Sequence, residues 1–179
     1  MNRMLCASMV LAWGLSAPAY ADYPEMIPIE DPSLDGRTAP EIALSTLTGG
    51  QFSLSEARDA GQVVVLAFWA SWCGPCQREI PALKILQEDL AGQPVQIVLV
   101  NVDKNAQDAR RFLRRINVGE ADLVVAMDNE AVALGSYGVL SMPTAFVIDR
   151  NGTVKITKVG YSEENGLTVI EEAIEEALR

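Results

Sequence analysis

Apolar residues run unbroken over 63–70, Val-Val-Val-Leu-Ala-Phe-Trp-Ala. A run of that length, rich in β-branched and aromatic side chains and lacking a polar face, predicts a strand buried on both sides. Residues 95–102, apolar except for Gln96 and Asn101, predict a second buried strand. Between them Ile80, Leu83, Leu86 and Leu90 recur at helical spacing, with Gly92 as the stop. Pro81 lies inside this helix and should kink it. Ala106, Ala109, Phe112, Leu113 and Ile116 mark an amphipathic helix, followed by a strand at 123–127 and a short helix at 129–136. Residues 42–47 and 51–54 flank Thr48-Gly49-Gly50 and predict a hairpin, with a short helical turn over 53–59. Strand 145–148 is joined by Asp149-Arg150-Asn151-Gly152, a turn suited to antiparallel strands, to an alternating strand at 153–159. Leu167, Ile170, Ile174 and Leu178 line the inner face of a last helix over 163–178, whose glutamates face solvent. Strands alternating with helices predict an α/β domain.

The first buried strand runs directly into Cys73-Gly74-Pro75-Cys76. A Cys at the first turn of the following helix would sit near unpaired backbone N–H groups and the positive end of the helix dipole. Both favour thiolate over thiol. Cys76 is three residues on, close enough for a disulfide, and Pro75 fits a first turn, where its missing N–H had no partner anyway. Structural zinc would require about four ligands, yet the chain has no His and three Cys in all, the third being Cys6. Covalent haem would require His after the second Cys, where Gln77 stands. A purely structural disulfide is a poor staple across so short a loop. The spacing therefore points to a dithiol that cycles.

Trp72-Cys73-Gly74-Pro75-Cys76 after a buried strand is similar to the thioredoxin motif. The longer string from Phe68 through Gln77, Arg78, Glu79, Ile80 and Pro81 resembles the TlpA/ResA branch of exported thioredoxin-like proteins, and the resemblance covers roughly residues 38–178. It implies a thioredoxin-like fold with an N-terminal β-hairpin and a central helix–strand insert, the latter at 106–127. It implies that Cys73 attacks and Cys76 resolves. Pro143, just before strand 145–148, has two readings, an edge turn or the cis-Pro loop that such folds set against the dithiol, and the upstream motif favours the second. Trp72, Gly74, Pro75, Met142, Pro143 and Thr144 are then expected to line the substrate surface. Simple thioredoxins carry an Asp in the central strand where this chain has Ala67. Glu79, matching a Glu of the TlpA/ResA pattern, is the expected substitute base for Cys76.

Gly-Pro between the cysteines is the thioredoxin pair, associated with a potential of roughly −270 mV against about −120 mV for DsbA. The expected activity is therefore thiol-disulfide oxidoreduction in the reducing direction, with no cofactor beyond the Cys73–Cys76 disulfide and no metal. Family members reduce disulfides of exported proteins, apocytochrome c among them; in an oxidising compartment such a reductase needs an outside source of electrons, and a membrane thiol donor is the expected one. Thr144 stands where dedicated cytochrome-maturation members often carry Glu. A dithiol oxidant or isomerase, or a non-enzymatic binding module on the same fold, are the competing readings. A peroxiredoxin would carry Thr-x-x-Cys, and Ala70 stands three before Cys73.

Residues 1–21 read as an export signal, with Arg3, an apolar stretch and Ala19-Tyr20-Ala21 at the cleavage position; an uncleaved membrane anchor is the alternative. The expected location is periplasmic or otherwise extracytoplasmic, and Cys6 would leave with the signal. Arg3 is the one charge in this segment, so its removal would take the formal net charge from −10 to −11. Such acidity argues against nucleic acid or an anionic membrane surface as a partner. Residues 22–37, with Pro24, Pro28 and Pro32 among acids, read as an extended arm before a single domain at 38–179, expected to be a monomer. Arg110, Arg111, Arg114 and Arg115 form a basic face that reads as solvated.

Overall fold

The computed structural model describes residues 33–162 and 166–179. The export signal, Cys6 and most of the arm lie outside the described residues, as does the expected start of the last helix. Twelve elements follow in order: β1 (Ala43–Ser45), β2 (Gln51–Ser53), α1 (Leu54–Asp59), β3 (Val63–Trp69), α2 (Cys76–Asp89), β4 (Val95–Asn101), α3 (Ala106–Arg115), β5 (Val124–Met127), α4 (Val132–Ser136), β6 (Thr144–Ile148), β7 (Val154–Val159) and α5 (Thr168–Leu178).

The long apolar strand takes the middle of the main sheet, whose order is β5-β4-β3-β6-β7. β3 pairs in parallel with β4 and antiparallel with β6, which explains why every residue of β3 is buried. Successive side chains of a strand point to opposite faces. Val63, Val65, Ala67 and Trp69 therefore join one core cluster with α2, α3 and α5, while Val64, Leu66 and Phe68 join another with α1, α4 and β2. The result is an α/β three-layer sandwich with a separate hairpin, β1–β2, bridged to β5 through Thr46 and Ala126. α3 and β5 stand where the helix–strand insert was expected.

Several element ends differ from the sequence pattern for local reasons. The hairpin strands are shorter than read, because the Leu47 N–H turns to the Val125 carbonyl and the Leu54 N–H to that of Ile42. α1 starts one residue late, with Ser53 as its cap accepting from the Glu56 N–H. α4 starts at Val132 because Asp128 accepts from the N–H groups of Val132, Ala133 and Leu134. Residues 36–39, read as the arm's end and the domain's start, bond to the backbone of Gly152 and Val154. The arginine face of α3 is largely occupied. Arg110 pairs with Glu120 and donates to the Leu47 carbonyl, Arg111 pairs with Asp108, and Arg115 stacks over Phe112. Among the described residues, no helix is long and apolar enough to cross a membrane.

Candidate active site

The dithiol sits where β3 stops and α2 begins, and one expectation is corrected there. Cys73 is not in the first helical turn. α2 starts at Cys76, Pro75 is its N-cap in right-handed helical dihedrals, and Cys73 lies in the preceding turn, held by its N–H to the Ala70 carbonyl. Pro lacks the N–H that would have closed an earlier helical bond, and Gly74 before it is a weak helix former. The consequence for Cys73 resembles the one expected. The Cys76 N–H, at the open end of the helix, donates to Cys73 Sγ at 3.3 Å. A donor at a helix N-terminus stabilises negative charge on that sulfur.

Cys73 and Cys76 are disulfide-bonded, with their Cα atoms 5.4 Å apart. Cys76 is fully buried and Cys73 nearly so, while Gly74 and Pro75 are exposed on the turn. The turn is anchored by a residue the sequence did not reveal. Asp103, just past β4 and 7% exposed, accepts from the Ser71 N–H (2.9 Å), the Ser71 hydroxyl (3.0 Å) and Asn101 Nδ2 (2.9 Å). Asn129 reaches across to the Asp103 carbonyl. Neighbouring parallel strands bring 71 and 103 together, a proximity with no local sequence signal.

The Met142–Pro143 bond is cis, and Met142 packs against the cluster that holds both cysteines. The Pro143 carbonyl accepts from the Gly160 N–H, and Gly160 has φ of 77°, a left-handed value that suits a residue without Cβ. The Thr144 side chain is buried and its hydroxyl donates to the Ser141 carbonyl, inside the loop. Trp72, 72% exposed, shares with Ser141 and Met142 a groove of about 580 Å³, walled further by Val102, Leu134 and Leu140. The groove is mostly apolar.

Glu79 is 1% exposed, one turn along α2 from Cys76. Its carboxylate lies 3.2 Å from Nζ of Lys158 on β7. Burial pushes the Glu79 carboxyl above its ordinary value, and the Lys158 ammonium pulls against that shift. Lys158 was not singled out in the sequence. The available signal was a lysine at the same alternate position as Ile156. Among the described residues no group of three or more His, Cys, Asp or Glu is placed to hold a metal ion.

The AhpC/TSA family model matches residues 36–157. The chain belongs to this family. It is 33% identical over 154 residues to the thiol-disulfide oxidoreductase ResA of Geobacillus thermodenitrificans, covering 86% of each chain. It is 31% identical to the thioredoxin-like protein YneN of Bacillus subtilis over 126 residues, covering 70% of this chain and 72% of that one. Among solved structures it resembles a thiol:disulfide interchange protein DsbE from Chlorobium tepidum, with a TM-score of 0.73 and 38% identity over 81% of this chain and 98% of the other. The thioredoxin-like fold and the CxxC dithiol agree with these relatives. The protein is a thiol-disulfide oxidoreductase.

Proposed function

We propose that this protein reduces disulfides of exported polypeptides. The observation that carries the reading is the Cys76 N–H donated to Cys73 Sγ at the head of α2. In the reduced protein the Cys73 thiolate attacks a substrate disulfide, forming a mixed disulfide and releasing one substrate thiolate. Cys76 then attacks the Cys73 sulfur, restoring the Cys73–Cys76 disulfide and releasing the second substrate thiolate. The Cys76 thiol proton passes to Glu79, whose carboxyl is raised by burial and so binds a proton more readily than an ordinary carboxylate. Two electrons leave the enzyme dithiol and two thiols appear on the substrate.

Trp72, Gly74, Pro75 and the Met142-Pro143-Thr144 loop offer the surface on which the substrate lies, Thr144 through its backbone. No bound cofactor takes part beyond the dithiol. The leader at 1–21 supports an extracytoplasmic location, where a membrane thiol donor would return the electrons. Apocytochrome c is one substrate that the resemblance to the TlpA/ResA branch implies, although Thr144 departs from the dedicated pattern.

The test is a Cys76→Ser variant expressed in the native host. It should accumulate mixed disulfides through Cys73 to exported proteins, and Cys73→Ser should trap none. A glutathione redox titration gives the direction. A potential near the thioredoxin value of about −270 mV supports the reductase, and one near −120 mV overturns it.

A further inference from the structure

Lys158 reaches the dithiol layer because β7 is irregular. Ile148 of β6 pairs with Val154, yet Val147 pairs with Ile156, so Lys155 is an extra residue in β7. Counting in twos from Val154 would put 156 and 158 with it on the α1/α4 face. The extra residue reverses the parity. Val154 packs in the α1/α4 cluster, but Ile156 packs in the cluster of α2 and α5. Lys158 follows Ile156 and meets Glu79. Bulges recur beside active sites because they re-aim a side chain.

The row it enters is cleared for it. Lys158 pairs with Ala145, Ala145 with Ala67, and Ala67 with Leu99. The two central positions beside Lys158 thus carry only methyl groups. The lysine side chain is 11% exposed, and its ammonium also donates to the Gly160 carbonyl (2.7 Å) and lies 5.2 Å from the Tyr161 ring centroid. The other lysine of β7 is committed elsewhere, Lys155 pairing with Glu176 at 2.7 Å.

We infer that Lys158 is a positioning residue for disulfide exchange, placed by the β7 bulge to keep the buried Glu79 carboxylate ionised and ready to accept the Cys76 proton. This rests on the reading of Glu79 as the base. A buried carboxylate without a nearby cation favours its protonated form, which can accept no proton. With Lys158 opposite, ionisation persists at lower pH. The proton taken from Cys76 leaves Glu79 neutral beside a cation, a state that readily gives the proton back to solvent or to the departing thiolate.

Among the described residues, few titratable or charged groups lie around Glu79. Its own helix brings Cys76 and Arg78, and the preceding turn brings Cys73. β7 brings Lys158, with Tyr161 against the ammonium. Asp89 of α2 and Glu171 of α5 border a neighbouring groove with Tyr161, while β3 and β6 bring only Ala67 and Ala145 to the row.

The experiment is single-turnover resolution of a preformed Cys73 mixed disulfide across pH, on wild type, Lys158→Met, Lys158→Arg and Glu79→Gln. For Lys158→Met the acid limb of the rate profile should move to the alkaline side by about 1–3 pH units, the usual effect of losing one opposite charge. The variant should be slow at neutral pH and recover to the wild-type rate or above in alkali, which a merely structural defect would not do. Lys158→Arg should leave the limb in place. If Glu79→Gln abolishes the limb while Lys158→Met leaves it unmoved, the role of Lys158 is overturned and Glu79 stands as base. If Glu79→Gln retains the limb, the base reading falls and this inference falls with it. Should Lys158→Met fail to fold, Lys158→Gln, which keeps a donor for Gly160, carries the same test.

Discussion

A carboxylate 1% exposed beside a disulfide needs a reason to be there. Removing a charge from water is costly even when one cation stands opposite, so Glu79 is a poor stabilising device. Its carboxyl titrates higher in the folded protein than in the unfolded chain, burial being the larger cause and Lys158 opposing it. Between those two values the folded state holds the proton more often than the unfolded state does. The stabilisation is therefore full below the unfolded value, about 4.3 for Glu, and is lost as pH rises through the folded value. Glu79→Gln cannot titrate. In urea unfolding of the oxidised proteins, the stability of wild type minus that of Glu79→Gln should fall as pH climbs through this window. A flat difference would show an unshifted carboxyl. The buried place of Glu79 beside the dithiol was legible in the sequence because it lies on the dithiol helix, three residues from Cys76. Lys158 was not, since its role depends on a one-residue bulge in a strand 79 positions away.

Elements were legible where pattern and partner agree. β3 is a continuous apolar run and β4 is apolar except for Gln96 and Asn101, as suits two interior strands of the sheet, and the pattern of α2 survives Pro81 because its buried face carries Cys76, Glu79, Ile80, Leu83 and Leu86. Their boundaries were less legible, because they depend on long-range bonds such as Leu47 to Val125. The loop from Ala70 to Pro75 belongs to the same class. Its position is set by Asp103, whose carboxylate takes three donors. Asp103→Ala would leave the Ser71 N–H and hydroxyl and the Asn101 amide without that acceptor. Unsatisfied buried donors cost about 1–3 kcal/mol, so the variant should lose stability of that order in urea unfolding. It should also slow exchange, since the turn carrying Cys73 is no longer held. Unchanged stability would show that water replaces the carboxylate without loss.

At the scale of the molecule, the sheet separates two cores, and the dithiol belongs to the one shared with α2, α3 and α5. The groove beside it is assembled from four stretches: the turn at Trp72, Val102 just past β4, the start and body of α4, and the loop from Val139 to Met142. Its apolar side chains include some left unusually open, Leu140 at 91% and Trp72 at 72% exposure. An isolated exposed leucine is ordinary, but Leu140 and Trp72 at one mostly apolar concave surface next to a reactive disulfide form a patch suited to an apolar segment of a protein substrate. A small disulfide reaches Cys73 without covering that patch. Burying a leucine side chain fully is worth about 1.5–3 kcal/mol, and each 1.4 kcal/mol is about tenfold in affinity. Leu140→Ser should therefore raise KM for a protein substrate by about tenfold or more if Leu140 becomes buried on binding. Its rate with a small aromatic disulfide should stay at the wild-type value, because the turn, the dithiol and Glu79 are untouched. Steady-state kinetics with both substrates decides the matter, and an unchanged KM for the protein would place the substrate elsewhere on the surface.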